Sequence, residues 1–186
     1  MSTALTFAHK NLLASSIAAA DGTVHYTTRT TRGLRGRKST TIRAANGLVG
    51  TIKWRDKVFV INGVQREWRR LKSRSGGIFS SGREWKWGNR PYTLKYHNSH
   101  KELLATPTSG GAVRFTTYQS HLFRGNKRAA VYFLDQLQDE IEQMFLLMAI
   151  LQTEIRRQDK ERAAGTNDAG VSLDAGVSLD TGISLG

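Results

Sequence analysis

The eight apolar residues "MFLLMAIL" at 144–151 place the strongest condition on the fold of this chain. They lie inside "VYFLDQLQDEIEQMFLLMAILQTEIRRQDKER" (131–162), a stretch without glycine or proline that is predicted to be helical. Asp135, Asp139, Glu140 and Glu142 stand towards its start, and Arg156, Arg157, Lys160 and Arg162 at its end. Acid first and base last complements a helix dipole. A helix that is apolar on every side has to be enclosed on every side. The run is far shorter than the roughly 20 residues a bilayer span needs, and Glu142 and Glu154 bound it. Its place is inside protein, either between a sheet and a partner or within a sheet of its own chain that closes around it.

The residues before it supply such a sheet. "TVHYTTRT" (23–30), "STTIRAA" (39–45), "LVGTIKW" (48–54), "KVFVI" (57–61) and "VQREWRRL" (64–71) are rich in β-formers. Asn46-Gly47 and Asn62-Gly63 separate two pairs of these runs, and Asn-Gly suits a hairpin turn whose two central residues both take positive φ. "REWKW" (83–87), "PYTLKY" (91–96), "KELLAT" (101–106) and "AVRFTTYQ" (112–119) continue the pattern, with Gly88-Asn89, Asn98-Ser99 and Gly110-Gly111 as punctuation. Many short strands with frequent turns point to a mainly β chain, a barrel or a sandwich.

Charge is unevenly placed. Residues 1–132 hold 24 Lys/Arg against five Asp/Glu, a net of +19, and residues 133–186 hold four against ten, a net of −6. A body this basic attracts polyanions: nucleic acid, anionic lipid headgroups or an acidic protein. With no cysteine, disulfides and thiolate metal sites are excluded, and a reducing cytosol or nucleus is the expected compartment. The opening "LLASSIAAA" makes a poor leader, because Lys10 is its one firm positive charge and Ser15 and Ser16 interrupt the apolar run.

Two runs are the candidate polyanion sites. "RTTRGLRGRK" carries Arg29, Arg32, Arg35, Arg37 and Lys38 in ten residues without an acid. Its glycines let backbone N–H groups approach an anion, and arginine forks suit phosphate oxygens. "QREWRRLKSR" carries Arg66, Arg69, Arg70, Lys72 and Arg74; on a strand, Arg66 shares a face with Trp68 and Arg70 while Glu67, Arg69 and Leu71 point the other way. The bland reading of both is a solvated surface. "GREWKWGNRPYTLKYH" (82–97) resembles a basic stacking platform for bases, but parity argues otherwise: Trp85 and Trp87 share one face, as do Tyr92, Leu94 and Tyr96, with mostly charge opposite. Those rings are expected in the core.

Catalytic signals are missing. There is no G-x-S-x-G elbow, P-loop, H-E-x-x-H or Rossmann glycine pattern, and the acids of the strand region are scattered singly. His97 and His100 in "HNSH", with His121 further on, lack the partners that would complete a metal site. The expectation is a protein with no enzymatic activity, no cofactor and no metal.

Antiparallel strands followed by one apolar helix near the C-terminus is a layout that resembles the tubby-like superfamily, which includes the LURP-one-related and scramblase families. The chain is similar to a fungal family of uncharacterised domains in that superfamily. The resemblance is carried by "LTFAHKNLLASSIAAADGTVHYTTRT", "GTIKWR" (50–55), "SSGREWKW" (80–87), "LLAT" (103–106) and the apolar helix, and it covers roughly residues 4–155. It implies an antiparallel barrel of about a dozen strands enclosing the helix, within a domain spanning 1–162. It carries no catalytic residues. Phosphoinositide binders among tubby-like proteins favour anionic membrane as the partner, with nucleic acid as the alternative and a cytoplasmic, peripheral-membrane or nuclear location. The tail, 163–186, ends in the repeat "AGVSLD", "AGVSLD", "TGISLG" and is expected to be disordered, or to act as a partner-binding strand.

Overall fold

A computed structural model describes residues 2–34, 36–74, 82–108, 111–119, 126–134, 137 and 139–168. The chain first forms β1 (Ser2–Phe7), β2 (Ser15–Ala18), β3 (Val24–Gly33), β4 (Gly36–Ala44), β5 (Val49–Lys53), β6 (Val58–Ile61) and β7 (Val64–Glu67). A single helical turn, α1 (Trp68–Leu71), leads into β8 (Lys72–Arg74). There follow β9 (Arg83–Lys86), β10 (Pro91–His97), β11 (Glu102–Pro107), β12 (Val113–Thr116) and β13 (Ala130–Leu134), and then α2 (Glu140–Asp168).

The fold is mainly antiparallel β. Its 13 strands form one sheet in the order β7-β6-β5-β4-β3-β2-β1-β13-β12-β11-β10-β9-β8. It consists of two meanders joined along β1 and β13, where Ser2 to Thr6 pair with Leu134 to Ala130. Among the described residues the ladder is not closed: β7 and β8 are its two ends.

Local chemistry explains the turns. At Asn62-Gly63 both residues take positive φ, 47° and 81°, and Ile61 pairs directly with Val64 in a two-residue hairpin. Asn46-Gly47 differs from the expectation. Only Gly47 has positive φ, 91°, and its N–H donates to the Ala44 carbonyl at 3.0 Å while the Ala44 N–H donates to Leu48 at 2.9 Å. The loop therefore holds three residues, and one left-handed position suffices.

Several expectations are corrected. The stretch 131–134 is not helix but β13, sandwiched between β1 and β12; "VYFL" is apolar enough for either state, and pairing on both sides selects the strand. The helix starts where Asp139 caps it, its Oδ1 accepting from the N–H groups of Ile141 at 2.9 Å and Glu142 at 3.3 Å. Because α2 continues to Asp168, its cations lie in mid-helix, and its last turn has no basic residue. In "VQREWRRL" the strand stops at Glu67. Trp68 and Leu71, three apart on the helical turn, are both buried, while Arg69 and Arg70 are exposed. The tail expected to be disordered over 163–186 starts as helix, since 163–168 belong to α2, and its repeat, 169–186, lies outside the described residues.

The chain divides into two compact units, Met1–Glu154 and Ile155–Gly186. In the first, every residue from Met144 to Leu151 is inaccessible to solvent. Phe145 lies at the middle of an aromatic cluster, 6.4 Å from Phe59, 6.5 Å from Trp85 and 5.8 Å from Trp87, centre to centre. Phe59 of β6 also stacks on Trp85 of β9 at 5.7 Å. These strands lie one in from opposite ends of the ladder, so side chains from the two ends meet over the helix. Gly50 faces the same helix. A Cβ there would come within 2.6 Å of Met144 Sδ and 2.9 Å of Met148 Sδ, so the missing side chain is what lets β5 approach α2 this closely. The described part of the second unit, 155–168, is helical and includes an Arg157–Glu161 ion pair one turn apart.

Candidate polyanion-binding surface

The β3–β4 hairpin is built on a polar hinge of threonines. Thr28 Oγ1 donates to the Leu12 carbonyl at 2.8 Å, and Thr30 Oγ1 donates to Leu13 at 2.9 Å and meets Thr40 Oγ1 at 2.6 Å. Trp54 Nε1 donates to that same Thr40 oxygen at 2.8 Å. Inward-facing Tyr26, Thr28, Thr40 and Ile42 are buried. Beyond Thr30 and Thr40 the two strands leave the core: Thr31, Arg32, Gly33, Gly36 and Lys38 are exposed.

Four of the five predicted cations of this run fall on the hairpin. Arg29 is exposed opposite Thr41, Arg32 lies directly opposite Arg37, and Lys38 is exposed next to Arg37. Arg37 is half-buried, its guanidinium 5.7 Å from the centre of the Trp54 ring. Arg35 lies outside the described residues. Like charges directly opposed across a ladder destabilise it, and residues 22–55 contain no Asp or Glu at all. Arg43, opposite Thr27, adds another exposed cation outside the ten-residue run.

The second run is divided by the helical turn. Arg66 donates to the Trp87 carbonyl and lies over the Trp87 ring at 4.8 Å, linking β7 to the segment after β9. Lys72 pairs across the ladder with Trp85 and sits 5.2 Å over its ring. Arg69 is in an exposed ion pair with Glu67. Arg74 lies in β8 opposite Arg83. Arg66 and Lys72 thus serve the packing at the ends of the sheet. Arg70 remains exposed and, with Arg66, Lys86, Gln65, Glu67 and Trp87, lines an open cavity of about 610 Å³. Lys86 joins this lining from outside the run, where the alternation of "EWKW" places it outward between two buried tryptophans.

The rings of "GREWKWGNRPYTLKYH" form core: Trp85, Trp87 and Tyr92 are buried and Tyr96 is half-buried. The platform for stacking bases is therefore not there. A smaller cavity of about 170 Å³ lies beside Tyr26, His25, Glu140 and Gln143. Tyr26 donates to Gln143 Oε1 at 3.0 Å, and burial, reinforced by the charge of Glu140, pushes its phenol up to about 12. Burial, with the nearby Glu142 carboxylate, also holds the Tyr92 phenol well above the usual range. Neither phenol is an acid–base group near neutral pH. Among the described residues, no three His, Asp or Glu side chains come together to hold a metal ion, and no helix is long and apolar enough to cross a membrane.

No curated protein and no solved structure matches the chain. Residues 10–159, more than half of its length, match the model of a family of unknown function, and the chain belongs to that family, DUF6593.

Proposed function

We propose that this chain is a non-enzymatic binding domain of the tubby-like type, whose sheet curls into an open barrel around the first part of α2 and whose β3–β4 hairpin docks on the anionic face of a membrane. The observation that carries the docking is the hairpin itself: Arg29, Arg32, Arg37 and Lys38 stand on a segment whose strands lead out of the core, in a stretch of 34 residues (22–55) without one carboxylate. A surface of that composition attracts phosphate oxygens and gains about 1 kcal/mol per cation near an anionic leaflet. The wrapping is supported by the Phe59–Trp85 stack between strands from the two ends of the ladder and by the inaccessibility of Met144–Leu151. On this reading the protein is peripheral to the cytoplasmic side of a membrane, and phosphoinositide headgroups are candidate ligands.

Flotation with vesicles tests the docking. The chain is expected to float with vesicles of phosphatidylcholine and phosphatidylserine, more so with added phosphoinositide, and to be released as salt rises. Equal flotation with pure phosphatidylcholine would overturn the electrostatic basis. Retention on a nucleic-acid duplex that survives competing heparin, with none on vesicles, would reassign the surface to nucleic acid.

A further inference from the structure

At the tip of the β3–β4 hairpin stands an exposed apolar residue. Leu34 is 109 % exposed, far more than any other large hydrophobic residue described, the next being Val64 at 52 %. It is the only large apolar side chain of "RTTRGLRGRK". Single exposed leucines are ordinary, but the order of chemistry along this hairpin is not. At the base, the hydroxyls of Thr28, Thr30 and Thr40 tie both strands to the loop at Leu12 and Leu13 and to Trp54. Further out, Arg32 faces Arg37 across the ladder, with Lys38 beside them. The Gly33–Gly36 pair then closes the ladder, Gly36 at φ 97°, and Leu34 follows as the outermost described side chain.

From Thr30 to Gly33 the strand rises about 10 Å, which matches the depth of about 5–10 Å to which apolar groups enter the headgroup–acyl boundary. A bilayer presents phosphates first and hydrocarbon behind them. Among its described residues the hairpin presents cations first and a leucine beyond them. We infer that the β3–β4 hairpin is a membrane-inserting tip, in which the exposed Arg32 and Lys38 engage lipid phosphates while Leu34 enters the acyl boundary of an anionic bilayer. This rests on the docking proposed above and adds to it an apolar contact that charge alone does not require.

Two substitutions at this exposed position test the inference without touching the core. With phosphatidylcholine–phosphatidylserine vesicles, Leu34→Ser is expected to weaken binding about tenfold, the lower end of what burying a leucine contributes. Leu34→Trp is expected to keep the affinity and to be quenched by vesicles with brominated acyl chains, while the wild-type chain serves as the blank for Trp54, Trp68, Trp85 and Trp87. If both variants bind as the wild type does and Leu34→Trp is not quenched, insertion is refuted and docking by charge stands. If the wild-type chain does not bind these vesicles at all, the docking itself fails and the inference with it. If Leu34→Ser loses affinity for a DNA duplex as steeply as for vesicles, the tip belongs to a nucleic-acid contact and the inference is overturned.

Discussion

At the scale of single residues, two positions inside the molecule make its packing measurable. Gly50 leaves room for Met144 and Met148. Gly50→Val should overpack that contact and lower stability by about 1–3 kcal/mol in denaturant unfolding, whereas Gly50→Ala should cost less, because methionine side chains are flexible. An unchanged midpoint for Gly50→Val would mean that β5 and α2 are not in close contact. Tyr26 gives a pH signature. Its folded-state pKa of about 12 lies above the ordinary 10, so the folded state favours the neutral phenol. The stability it contributes is complete below pH 10 and is lost as pH rises through about 12, up to about 3 kcal/mol. Tyr26→Phe should remove that part of the alkaline loss, so its stability should fall less steeply than that of the wild-type chain over this interval. Parallel profiles would show that the phenol is solvated. The sequence said nothing of either effect: Gly50 sits in an ordinary strand pattern, and what it must accommodate lies about 94–98 positions away.

At the scale of elements, the central helix segment is the decisive one. Leu147→Asp would bury an unpaired charge among residues with no solvent access, and the cost, several kcal/mol, is comparable to the whole stability of a small domain. That variant should lose its folded circular dichroism signal. Ile141→Asp, on the same helix but 41 % exposed, should keep it. A folded Leu147→Asp chain would mean that the segment is covered by a partner instead of its own sheet. Enclosure was legible in "MFLLMAIL" because no face of it is polar, and most strands were legible from alternation and Asn-Gly turns. The failures have physical causes. "VYFL" satisfies both helix and strand, and only its neighbours β1 and β12 decide. Trp68 and Leu71 were separated onto opposite faces by counting in twos, although a spacing of three between two large apolar residues is itself a helical signal. Contacts such as Arg66 to Trp87 and Phe59 on Trp85 join the two ends of the sheet and depend on its curvature, which no short segment encodes.

At the scale of the whole molecule, a basic hairpin extends from a helix-centred core. The ten-residue run at 29–38 is legible as a candidate polyanion site from composition alone. Its geometry is not: that Arg32 opposes Arg37, that Arg37 leans on Trp54, and that Leu34 stands outermost all follow from the register of β3 on β4. The second run looked equivalent in sequence, yet Arg66 and Lys72 are held over Trp87 and Trp85, so neutralising them should disturb packing more than binding. Hydrogen–deuterium exchange of the full chain, with and without phosphatidylcholine–phosphatidylserine vesicles, addresses the central claim most directly. Peptides covering 29–38 should exchange more slowly on the vesicles, while those covering β10 and β11 stay unchanged. Protection centred on β10 and β11, or no protection at 29–38 in a chain that is bound, would contradict docking through the hairpin.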